Sequence, residues 1–365
     1  MLALRIFVGV FGSLVALGTL GSAVRTVVVP RGEQSILTRT TVMAMRGLFN
    51  RFAHRRKNWR DREAIKARFA PVTLMLFPGI WASGVIIGMS GLYWALGEEP
   101  YKDALILSGS SLTTLGFRTT TDAPTLILEI IEGIVGLGIV ALLIAYLPTI
   151  YAAFSRRETV VAKLQLRSTN VDGVASAESM LIRRNRIDAL EDMMHQWYEW
   201  EDWFVELEET HTSFPILVFF RSPAPERSWV NAAGIALDTA SLYLSTLDLP
   251  ADPRAQLMVR TGTLSLRRIC DYWDFDYDPD PSPDDPIAIT REEYDEVYDR
   301  FAAEGVPLVE DREQAWRDFA GWRVNYDRPL LSLATFVESP PTPWSSDRQV
   351  DLPPPINLRR GRRWS

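Results

Sequence analysis

The chain has 365 residues, 39 Lys and Arg against 46 Asp and Glu, and a formal net charge of -7. That average hides a split: residues 1–154 carry 15 basic and 9 acidic side chains, leaving 24 and 37 of the totals for residues 155–365. One cysteine, Cys270, excludes an intrachain disulfide, and without CxxC, HExxH or a His/Cys cluster around His54, His195 or His211 no zinc site is expected.

A bilayer span takes about 20 mainly apolar residues as helix, and three segments qualify. The first is Ile6–Val29, with Arg25 near its end. Gly21-Ser22-Ala23 would also serve as a signal-peptide cleavage site. Charge decides against cleavage. The segment from Arg31 to Ala70 holds eleven Lys and Arg and three Asp and Glu, and a basic loop of that length stays on the cytoplasmic side. An uncleaved first helix with its N-terminus outside satisfies this. The basic segment also has the charge to attract anionic lipid, although orientation alone accounts for it.

The second span is Pro71–Leu96, without a charge, and the third runs from about Ala123 to Ser155. The second runs outward and the third returns, which puts residues 155–365 in the cytoplasm behind Arg156-Arg157. The fold expected is an all-α membrane protein. Three transmembrane helices and a re-entrant pore helix with its filter loop precede a mainly helical cytoplasmic domain. The divisions are 1–30 (first helix), 31–70 (basic linker), 71–157 (pore module), 158–338 (cytoplasmic domain) and 339–365 (Pro-rich disordered tail).

Between the second and third spans, Tyr101–Leu112 has the length of about three helical turns, too short to cross. Ala104, Leu105, Ile106 and Leu107 are too apolar for an exposed hairpin, so the segment reads as re-entrant. Irregular backbone at that depth is tolerated only where it is buried in protein or lines a water-filled path. That condition falls on Thr113-Thr114-Leu115-Gly116-Phe117.

This order of short helix, TTLGF and glycine-bearing helix resembles the pore module of potassium channels, whose filter reads Thr-Val-Gly-Tyr-Gly. The resemblance covers about Pro71 to Arg157, the two-helix pore unit of bacterial ion channels, here with an extra N-terminal helix. The run ELEETHTSFPILVFFRSP resembles uncharacterised bacterial membrane proteins with the same module. The resemblance implies a homotetramer in a bacterial inner membrane and potassium or a similar monovalent cation as the permeant ion. Thr113 to Phe117 would be the filter, with Leu115 and Phe117 packed behind it. No other metal, cofactor or nucleic acid is implied. Backbone carbonyls replace the ion's hydration shell in such a filter, and Gly116 takes backbone angles that a side chain resists.

Arg118 and Thr119 stand where the family has glycine and aspartate. Three outcomes are open: Arg118 turns outward onto Asp122, Glu98, Glu99 or Glu132; it reshapes the outer filter; or it closes the path. The last makes the chain a non-conducting scaffold or sensor on a degenerate pore. Arg118, Asp122 and Glu132 are the expected outer mouth, with Glu129 a further acid beside them. Gly136, Gly138 and Pro148 are candidate hinge positions, and packing explains the glycines equally well.

From residue 158 the pattern is helical. A long helix is expected over Ala177–Glu209, with Trp197, Trp200, Phe204 and Leu207 on one buried face. Further helices are expected near 227–247, 252–273, 290–304 and 311–337, with a short strand at Ile216–Phe220. No GxGxxG occurs there, the acidic run Asp271–Asp285 lacks an EF-hand's glycine and closing glutamate, and no catalytic constellation stands out, so no enzyme is expected.

Overall fold

Glycine and alanine on two apolar helices set the closest packing in the first part of the molecule. The computed structural model describes residues 2–28 and 35–352, and among them every regular element is a helix. The chain divides into two compact units, Met1–Ala153 and Phe154–Ser365, each described by itself.

In the first unit, α1 (Leu2–Val27) lies antiparallel on α3 (Trp59–Leu96). A Cβ on Gly12 would meet the Gly88 carbonyl at 2.4 Å, and one on Gly88 would meet the Gly12 carbonyl at 2.6 Å. Lipid tails are as apolar as leucine, so membrane helices associate by close packing over small residues rather than by hydrophobic burial. α1, α3 and α5 (Ala123–Ser168) are long and apolar enough to cross a membrane. α4 (Tyr101–Leu112) is the expected short helix.

The segment 31–70, expected as a linker, is largely helical. α2 (Ile36–His54) buries Val42 and Ala53 and packs on α3, with the Phe49 and Phe69 rings 5.9 Å apart. Asn58 caps α3 by accepting from the Arg60 amide at 3.2 Å, so α3 begins twelve residues before the apolar run. Pro71 and Pro78 sit inside α3 without ending it.

The second unit adds α6 (Ala177–Arg186), α7 (Met194–Ser213), α8 (Trp229–Ser245), α9 (Pro253–Tyr272), α10 (Arg291–Ala303) and α11 (Arg312–Val337). α8 is its hub. Nearly every α8 residue is buried, and Ala232, Ala233, Gly234, Ala236 and Ala240 let its neighbours approach closely. Trp197, Trp200, Phe204 and Leu207 are all buried on α7, as their spacing predicts.

Three expectations change here. The helix over Ala177–Glu209 is two helices. Asp188 takes a left-handed φ of 52°, and the amides of Asp188 and Ala189 close back on the carbonyls of Asn185 and Arg184, ending α6. Ile216–Phe220 is not a strand: Pro215–Phe219 is a buried 3-10 turn, and its apolar character reflects burial rather than pairing. The tail expected to be disordered from residue 339 is packed as far as 352. Buried Asn231 Nδ2 donates to Pro340 O and Thr342 Oγ1 at 2.7 Å each, and Arg323 Nη2 donates to Trp344 O at 2.6 Å. Proline carbonyls are good acceptors, so a Pro-rich run can be fixed by side-chain donors. Residues 353–365, with RRGRR, lie outside the described residues.

Candidate functional site

The loop after α4 is built by its helix end. The Thr114 amide donates to Ser111 O at 3.0 Å and the Leu115 amide to Ser110 O at 3.1 Å. This pair of bonds requires a left-handed residue at Thr114, whose φ is 56°. Glycine is usual there, and a side chain costs about 1–2 kcal/mol, more awkwardly for β-branched threonine. Gly116 also has positive φ, at 68°.

The loop amides are thus turned back onto α4. Among the described residues, the carbonyls of 113 to 117 accept no backbone hydrogen bond, and all five residues are exposed. The Thr113 hydroxyl donates to Gly109 O at 2.6 Å. Leu115 and Phe117 are 70% and 63% exposed. The expectation that they pack behind the loop is not met within one chain, because no neighbouring element covers them.

Ser110 closes the far end of the loop. Its hydroxyl donates to Arg118 O at 2.9 Å and accepts from the Arg118 amide at 3.0 Å. The Arg118 guanidinium lies 3.1 Å from Asp103 Oδ2 and 3.6 Å from Glu98 Oε2. Glu98 was among the partners expected; Asp103, in the first turn of α4, was not.

The other acids near Arg118 are engaged elsewhere. Asp122 caps α5, accepting from the Thr125 hydroxyl at 2.8 Å and the Thr125 amide at 3.3 Å. Glu99 pairs with Arg5, and Glu129 accepts from the Thr120 amide at 2.9 Å. Glu132 is 1% exposed and accepts from Tyr93 OH at 2.7 Å and Ser108 Oγ at 2.5 Å. It therefore lies inside the protein, joining α3, α4 and α5, rather than at an outer mouth. Tyr93, Ala104 and Leu107 form the apolar cluster around this knot. Ser108 and Ser110 were not singled out from the sequence, although hydroxyls inside an otherwise apolar helix mark positions that need buried partners.

Of the hinge candidates, Gly136 is a packing position, since a Cβ there would fall 1.8 Å from Leu112 O. Gly138 meets nothing within 4 Å. α5 runs unbroken through Gly136, Gly138 and Pro148 to Ser168.

In the second unit, buried Arg157 donates to Leu217 O at 2.9 Å, to Phe220 O at 2.7 Å and to His211 at 3.2 Å. Arginine only donates, so His211 Nε2 accepts and Nδ1–H donates to Leu207 O at 2.8 Å. Burial, with the Arg157 charge beside it, holds His211 well below the usual histidine range. A second buried cation, Arg323, sits 2.5 Å from Asp238 and 2.8 Å from Asp327. Cys270 is buried, and burial pushes its thiol up. These groups hold helices together with their hydrogen-bonding capacity used internally.

Comparison with protein-family models, with curated proteins and with solved structures finds no match to this chain.

Proposed function

We propose that this chain is a subunit of a homotetrameric, potassium-channel-like cation pore, with residues 113–117 as the ion-coordinating backbone. The observation that carries the reading is the run 113–117, whose carbonyls accept no backbone hydrogen bond among the described residues, held between two membrane-length helices by amides tied back to α4. Carbonyl oxygens without internal donors are the ligands a dehydrated monovalent cation requires. One loop supplies only a fraction of a coordination shell, so the reading needs copies of the chain around an axis. Exposed Leu115 and Phe117 are then covered by neighbouring subunits.

The pairing of Arg118 with Asp103 and Glu98 supports conduction over the non-conducting scaffold, because it draws the cation aside and offsets its charge. The topology that goes with this reading has the N-terminus outside, the basic hairpin of α2 and early α3 inside, and the second unit in the cytoplasm, where it assembles or gates the pore. Potassium is the permeant ion, and no catalytic role is assigned.

The mass of the detergent-purified complex tests the proposal. A tetramer is expected. A stable monomer in lipid nanodiscs contradicts it, since a lone chain cannot close a ring of carbonyls.

A further inference from the structure

α3 is 38 residues long, about 57 Å at 1.5 Å per residue, against a hydrocarbon core of about 30 Å. The excess lies at one end. α1 ends where α2 begins: Thr26 and Thr38 hydroxyls are 2.7 Å apart, and Ser35 Oγ donates to Ser22 Oγ at 2.7 Å. From that level α2 runs back along α3, as the Phe49–Phe69 contact shows. α2 and the first turns of α3 therefore project beyond the end of α1 as a helical hairpin.

The hairpin, residues 36–68, carries ten Lys and Arg and only two acids, Asp61 and Glu63. Glu63 is buried and lies 3.7 Å from Lys66. Arg51, Arg55 and Arg68 are exposed. On α2, on the face of Arg51 and Arg55, Leu48 and Phe52, one turn apart, are 45% and 49% exposed, and the Arg55 guanidinium sits 5.8 Å over the Phe52 ring. Orientation by positive charge needs no exposed apolar side chains. A cationic surface with leucine and phenylalanine set among arginines matches the boundary between acyl chains and phosphates.

We propose that this hairpin is a docking surface for anionic phospholipid in the leaflet it leaves. Arg51, Arg55 and Arg68 pair with headgroup phosphates, and Leu48 and Phe52 enter the acyl boundary. The inference needs α3 to cross a bilayer; it does not need the chain to conduct.

The test uses the full chain in a neutral detergent, titrated with phosphatidylglycerol or phosphatidylcholine. Retained lipid is read by native mass spectrometry and the unfolding midpoint by tryptophan fluorescence. Phosphatidylglycerol should be retained and raise the midpoint where phosphatidylcholine does not. The triple variant Arg51→Gln/Arg55→Gln/Arg68→Gln should need about tenfold more or beyond for the same effect. Should that variant not fold, raising salt from about 50 to about 500 mM on the natural protein must weaken phosphatidylglycerol retention. Equal retention of the two lipids, an unchanged titration in the variant, or no salt dependence overturns the proposal.

Discussion

Arg118 and Asp103 lie fifteen residues apart in sequence, and their side chains meet at 3.1 Å, the arginine folding back from the loop to the first turn of α4. With Glu98 at 3.6 Å, the guanidinium has two carboxylates beside it. On the proposed reading the pair offsets the charge of an arginine next to the coordinating loop, and its removal is informative. In the double variant Glu98→Gln/Asp103→Asn, Arg118 loses both counter-charges. Potassium uptake by liposomes should fall about tenfold, and adding Arg118→Gln should restore it. Unchanged uptake in the double variant would contradict this role.

Gly136 and Gly138 should respond differently to the same methyl group. A Cβ at 136 would fall 1.8 Å from the Leu112 carbonyl, whereas one at 138 meets nothing within 4 Å. Gly136→Ala should cost about 1–3 kcal/mol of stability and Gly138→Ala should be near neutral. Thermal unfolding of the two proteins in the same detergent gives the comparison.

Glu132 holds two buried hydroxyls, Tyr93 OH and Ser108 Oγ. Glu132→Ala leaves Tyr93 OH without its acceptor, at about 1–3 kcal/mol, while Ser108 Oγ keeps the Ile86 carbonyl at 3.2 Å. Glu132→Gln keeps one carbonyl acceptor and should lose less. Retention of wild-type stability by the alanine variant would show that the knot is unimportant.

Acid should weaken the second unit through His211. Its pKa is lowered by burial first and by the Arg157 charge second, so the folded state binds its proton less readily than the unfolded state. This group leaves stability unaffected above about pH 6.5 and subtracts from it as pH falls below, by at most about 1.4 kcal/mol per unit. Unfolding midpoints measured from pH 7 to pH 5 should therefore decline. The decline should be shallower in His211→Gln, which keeps an acceptor for Arg157 without titrating.

The long elements were legible because each rests on a local signal. The three spans follow from runs of about 20 apolar residues, and α4 follows from an apolar stretch too short to cross. The buried face of α7 follows from spacings of three and four. What escaped depends on relations between distant residues. In α2 the charges of 31–70 masked the helical spacing of Val42, Phe49 and Ala53, which shows its meaning only against Phe69. Asp188 ended α6 in a conformation for which glycine is the usual signal. The packing of the Pro-rich tail depends on Asn231 and Arg323, 109 and 21 residues from the carbonyls they hold. In the candidate site, the loop itself could be read from TTLGF. Its clamp, Ser110, and the partner of its arginine, Asp103, required the fold.

The central claim is that residues 113–117 conduct potassium, and flux measures it most directly. The purified protein in liposomes under a potassium gradient should take up potassium well above empty liposomes. Gly116→Val, which puts a β-branched side chain at a φ of 68°, should abolish the uptake while leaving the same oligomer. A folded tetramer with no potassium uptake, or a Gly116→Val variant that conducts like the natural protein, would contradict the account.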